Sequence, residues 1–258
     1  MLVEITDHIE ALREQGGLLA DAAERAGLDT AVPTCPPWLT KDLLRHTGYI
    51  HRWAAQHITE LAPSVLDGPP EAEILSGGAP DPELIAWFRA GHAALVQTLA
   101  TADPDLECGT FMPAPSPLAF WARRQAHETA IHRADAEGAS GGRPGYAPVF
   151  AADGIDELIM GFGQRRKYRP SGDHGGALRV RTTDTGDAWY LSAEEGRIQA
   201  VRGNGEPAGP ADGLLSGPAC GVYLFLWNRS AADAVGVTVS GDPGFLTSWQ
   251  SSVRVRWG

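Results

Sequence analysis

The sequence predicts an all-α four-helix bundle followed by a small α+β domain. Three observations predict it. Four stretches with helical periodicity occupy residues 5–137, proline-rich loops separate them, and beyond a Gly-rich linker the pattern changes to strand-like alternation. The expected boundary divides residues 1–140 from residues 141–258. A chain of 258 residues is long for one domain and comfortable for two.

The first helix is expected over residues 5–26, where Ile5, Ile9, Leu12, Leu19 and Ala23 recur at helical spacing and Gly27 offers a stop. Gly16 and Gly17 weaken it, each by about 1 kcal/mol relative to alanine. Residues 29–39 form a loop, because Pro33, Pro36 and Pro37 forbid a helix there. Thr40 is placed to cap the second helix, with Asp42 in its first turn. Residues 63–80 are rich in Pro, Gly and Ser and read as loop. Asp81 and Pro82 then open a third helix over 82–100, carrying Leu84, Ile85, Phe88, Leu95 and Leu99. Four prolines mark 101–117 as loop, and a fourth helix follows over 117–137.

After the linker at 138–150, a helix is expected over 153–166. Strands follow at 177–182, 188–194 and 197–203, a buried helix at 213–227, a strand at 235–242 and a short helix at 243–252. Asp173 and His174 lie in a Gly-rich loop and read as inert.

Composition excludes several function classes. With 21 basic and 32 acidic residues the net charge is −11 and no basic block exists, so no nucleic-acid partner is expected. No run of 18 apolar residues predicts a membrane span. The acidic, amphipathic start lacks the features of a signal peptide. Three scattered cysteines, without a CxxC pair, indicate neither a disulfide framework nor a thiolate zinc knuckle. A cytoplasmic location fits.

The chemistry concentrates in the fourth helix. Glu128 and His132 stand four residues apart, one above the other on one face. A carboxylate and an imidazole so placed can supply two ligands to a divalent metal, and a third must come from elsewhere. Trp121, Arg124, Gln125, Ile131 and Asp135 share that face, while Ala122, Ala126, Ala130 and Ala134 fill the opposite one. A core face does not tolerate unpaired carboxylates, so a polar pocket with a cation is one reading. An exposed face with Arg124–Glu128 and Glu128–His132 pairs, each contributing a few tenths of a kcal/mol, is the other.

The second helix supplies candidates for the third ligand. At about 100° per residue, His46 and His57 fall on the packed flank with Trp53, and His51 falls on the opposite margin. An imidazole on an apolar flank is more often core packing than a ligand. The Glu128–His132 pair favours His46.

Three phrases carry a resemblance. PPWLTKDLLRHTGYIHRWAA at 36–55, FWARRQAHETAIHRADAE at 120–137 and LLSGPACGVYLFLWNR at 214–229 together resemble the mycothiol-dependent maleylpyruvate isomerase family of actinobacteria. The resemblance implies a DinB-like helical bundle and a sterol-carrier-like α+β domain. It implies a divalent metal, typically zinc, held by His46, Glu128 and His132, with His51 the alternative to His46. Three protein ligands leave a coordination position open, where mycothiol, the thiol cosubstrate, would bind. Its thiolate adds to an activated double bond, the adduct rotates about the resulting single bond, and elimination gives the trans isomer. Other members transfer the thiol to different small electrophiles.

Asp135 is a candidate to orient a ligand or the thiol. Arg124 is a candidate to meet a substrate carboxylate, or else to pair with Glu128. Trp53 and His57 are candidates to line the thiol-binding pocket, or else to pack in the core. A non-catalytic metal- or ligand-binding protein on the same bundle remains the alternative, and a metal-free helical domain with an internal salt bridge a third. Monomer and homodimer are both open.

Overall fold

A computed structural model of the chain describes residues 3–165, 176–194, 197–203 and 211–253. Asp173 and His174 lie outside the described residues. Among these, residues 3–144 form one compact unit and residues 145–253 another.

Four long helices build the first unit: α1 (Ile5–Ala26), α2 (Thr40–Thr59), α4 (Leu84–Thr101) and α5 (Pro117–Ala139). A short helix, α3 (Glu71–Ser76), interrupts the segment expected as loop. α1 packs on α5 and α4, and α2 packs on α4 and α5. A core of Leu19, Ala23, Leu43, Leu44, Leu84, Phe88 and Ala136 joins them, every one of these side chains being fully buried.

Local chemistry sets the helix starts. Ser116 Oγ accepts from the Ala119 amide at 3.2 Å and Pro117 occupies the first turn of α5. α2 begins one residue earlier than expected. Leu39 is its N-cap, and Asp42 accepts from the Leu39 amide at 2.9 Å. Thr40 instead donates its hydroxyl to the Thr30 carbonyl at 3.1 Å, tying α2 back to the preceding loop. Asp81 is not a cap. It lies in a 3₁₀ turn before α4, and its carboxylate pairs with Arg45 and Lys41.

The second unit opens with α6 (Pro148–Asp156), which runs on as a π-helical turn over Glu157–Phe162. Among the described residues five strands follow: β1 (Ala177–Thr182), β2 (Ala188–Glu194), β3 (Arg197–Arg202), β4 (Gly213–Gly217) and β5 (Thr238–Gly241), in the order β3-β2-β1-β4-β5. β1 and β4 are parallel and the other pairs antiparallel. α7 (Ala219–Leu226) is buried, and α8 (Gly244–Ser252) closes the described chain.

The helix expected over 213–227 is corrected. Its first five residues form β4, where Leu215 is buried and Leu214 exposed, the alternation of a strand. Pro218 cannot continue a helix from its N-terminal side, so it separates β4 from α7. The expected strand at 235–242 is shorter, because Gly236 turns at φ 69° before β5 begins.

The glycine pair in α1 has unequal roles. A Cβ on Gly16 would lie 2.2 Å from His92 Nε2, the atom that donates to the Leu12 carbonyl at 2.9 Å. A Cβ on Gly17 would meet nothing within 4 Å. Alanine gains about 1 kcal/mol in a helix interior, but overpacking costs about 1–3 kcal/mol. Gly17→Ala is therefore expected to raise the denaturation midpoint and Gly16→Ala to lower it, by about 1 kcal/mol each. Equal shifts in both variants would show that His92 does not require Gly16.

Candidate metal centre

α5 places Glu128 and His132 on a largely buried face, where the Glu128 side chain is 18% exposed. Arg124 is 3% and Asp135 0% exposed, and the alanine face opposite is buried as well. The reading of this face as solvated is thereby excluded. A carboxylate in such a place costs several kcal/mol unless charged or hydrogen-bonding groups meet it, and the partners are present.

Glu128 Oε1 lies 3.2 Å from His132 Nε2 and 3.6 Å from His46 Nε2, while Oε2 accepts from Arg124 at 2.8 Å. One ligand atom from each of His46, Glu128 and His132 lies within 4.8 Å of the others. A tetrahedral ion with bonds of about 2.0–2.1 Å sets neighbouring ligand atoms about 3.3–3.5 Å apart. The two measured separations bracket that span. Two imidazole nitrogens and a carboxylate oxygen form a donor set suited to zinc and related divalent ions, so these residues fit one.

The protonation states follow from the contacts. Burial lowers the His46 pKa, so this imidazole is neutral near pH 7. Burial opposes ionisation of Glu128, yet hydrogen bonds from His132 and His46 and the Arg124 charge hold its pKa well below the usual carboxylate range. Burial also lowers His132, but hydrogen bonds to Asp135 and Glu128 outweigh it and raise the group to about 9.

Asp135 sits behind His132. Its Oδ2 accepts from His132 Nδ1 at 2.9 Å, which leaves Nε2 facing Glu128. The 29–39 loop covers this side. Thr34 Oγ1 donates to Asp135 Oδ1, and Cys35 Sγ donates to Oδ2 at 3.4 Å. The Trp38 ring lies 4.8 Å from the His46 ring and 6.2 Å from the His132 ring, centroid to centroid. Sequence reasoning missed Thr34, Cys35 and Trp38 as neighbours of the centre. The loop has no period to reveal them, and the one signal was the PPW that opens the first family-like phrase.

His51, His57 and Trp53 lie elsewhere. His51 Nε2 meets Thr129 Oγ1 at 2.9 Å, beside Phe88 and His92, so it is not part of the ligand cluster. His57 donates from Nδ1 to the Trp53 carbonyl at 2.8 Å and accepts the Leu66 amide at Nε2 at 2.7 Å. Trp53 Nε1 donates to the Leu66 carbonyl at 3.1 Å. Both rings pack on Trp121, seven residues before Glu128 along α5. His57 thus has both nitrogens engaged by backbone and is not a fourth ligand. Arg124 meets Glu128, the pairing weighed against a substrate carboxylate.

Comparisons with known proteins bear on this geometry. Residues 9–137, half of the chain, match the family model described as the mycothiol maleylpyruvate isomerase N-terminal domain. Curated proteins give no match. Among solved structures, a mycothiol-dependent maleylpyruvate isomerase aligns with a TM-score of 0.62 at 17% identity, covering 93% of this chain and 95% of its own. A histidine-to-alanine mutant of such an isomerase aligns with the same TM-score and coverage at 15% identity. At those identities the likeness speaks for a shared fold, a helical part followed by a small mixed sheet. With the family match spanning α1 to α5, the chain belongs to the mycothiol maleylpyruvate isomerase family.

Proposed function

We propose that the protein is a metal- and mycothiol-dependent enzyme. It would catalyse cis–trans isomerisation of a small electrophile, as the maleylpyruvate isomerases do, or transfer of the thiol to one. In this reading the four long helices are a DinB-like bundle, residues 1–140 are the metal-binding domain and residues 141–258 a sterol-carrier-like partner domain. The observation that carries the proposal is the convergence of His46 Nε2 and His132 Nε2, from two helices, on one oxygen of Glu128.

His46, Glu128 and His132 would hold the ion, with zinc the expected metal. A divalent cation there supplies Lewis acidity that keeps a thiol ionised near neutral pH. Arg124 anchors Glu128 through Oε2 and so leaves Oε1 turned toward the two imidazoles. Asp135 fixes the His132 tautomer and its ring orientation. Trp38 lies beside both imidazoles. Trp53 and His57 brace the segment around Leu66.

Purified protein is expected to bind about one zinc ion per chain, measured by elemental analysis. His46→Ala, Glu128→Ala and His132→Ala should each abolish that binding together with mycothiol consumption on candidate electrophiles. Full zinc occupancy in any of the three would remove that residue from the ligand set.

Metal affinity should also depend on pH. His132 is raised to about 9, so at pH 7 its Nε2 carries a proton that must leave before it can bind a metal. Affinity is expected to rise about tenfold per pH unit from neutrality and to level off near pH 9. Chelator competition across that range measures it, and a flat profile would contradict the assignment of His132.

A further inference from the structure

The 29–39 loop reaches both imidazoles by different routes. Thr34 and Cys35 donate to the two oxygens of Asp135, whose Oδ2 accepts from His132 Nδ1 at 2.9 Å. Trp38, three residues on, lies over His46. The loop is itself folded by short-range hydrogen bonds: Val32 N to the Trp38 carbonyl at 2.9 Å, Cys35 N to the Val32 carbonyl at 3.1 Å and Trp38 N to the Cys35 carbonyl at 2.8 Å. A bridge between Ala31 and Leu39 closes its base. Thr34, Cys35 and Trp38 are thus held in one turn, and that turn faces the two histidines of the centre.

We propose that Thr34 and Cys35 are positioning residues of this centre, acting through Asp135 on His132. A carboxylate can rotate about its terminal bond and offer either oxygen to an imidazole. Asp135 does not have that freedom, because Thr34 takes Oδ1 and Cys35 and His132 share Oδ2. The carboxylate plane is fixed, so the His132 ring is fixed and its Nε2 points at Glu128. Threonine contributes the stronger hold, since an O–H donor to a carboxylate outranks an S–H donor. Loss of a group behind a metal-bound histidine lowers metal affinity about 10–100-fold in other proteins. The proposal rests on the metal-centre reading above.

Zinc affinity by chelator competition and the visible absorption spectrum of the cobalt-loaded protein test it. Thr34→Val keeps the shape and removes the donor. It is expected to weaken zinc binding about tenfold and to shift the cobalt bands, while Thr34→Ser restores both. Cys35→Ala is expected to show a smaller loss in the same direction. Unchanged zinc affinity and cobalt spectrum in Thr34→Val, with the wild-type protein binding zinc, overturns the positioning role and leaves the metal centre standing. A wild-type protein that binds neither zinc nor cobalt overturns both. If Thr34→Val does not fold, Cys35→Ala decides alone: reduced affinity supports the proposal and wild-type affinity overturns it.

Discussion

The constraint on which the helical unit depends is the burial of Asp135 and the near-burial of Glu128 on one side of α5. Glu128 and Asp135 stand seven residues apart, two turns along the same face, with His132 between them. Taken out of water alone, each would cost several kcal/mol, enough to cancel much of the stability of a domain. The surrounding elements are arranged to meet that cost. α2 brings His46 to Glu128, one turn of α5 brings Arg124, and the 29–39 loop brings Thr34 and Cys35 to Asp135. On the other side α5 presents alanines, which are buried against its neighbours.

Much of this was legible in the sequence, for a physical reason. Helical geometry converts spacing into direction, so Glu128, His132, Arg124 and Asp135 could be put on one face, and His46 separated from His51 by their angle alone. What spacing cannot give is the far partner. Arg124 had two candidate carboxylates, and only the packed helix shows that Glu128 takes it. His57 sat on the correct flank yet belongs to the core, because the Leu66 amide comes from a loop of no regular pattern. Thr34 and Cys35 were invisible for the same reason.

The fold shows the same division. The long helices of the first unit follow their period closely, whereas the segment 213–227 misled because an apolar run suits a buried strand and a buried helix equally. Pro218 was the decisive residue, and its effect is local: it ends β4 and starts α7. Gly16 was read as a weakness of α1. The packed structure gives it a purpose, since the space a side chain would fill belongs to the His92 ring.

The charges around His132 connect the fold to the proposed chemistry. Arg124 and protonated His132 balance Glu128 and Asp135, and His46 is neutral. Protonated His132 donates to both carboxylates, which holds its ring between Glu128 and Asp135. If a divalent cation took the place of the His132 Nε2 proton, as the proposed function requires, these residues and the cation together would carry one net positive charge. A buried positive charge is costly until an anion meets it. A thiol that gave up its proton to solvent there would supply that anion, as would a water that did the same. In the proposed reading, the set of groups that makes these carboxylates tolerable would therefore also favour an anionic ligand, and a thiolate is one.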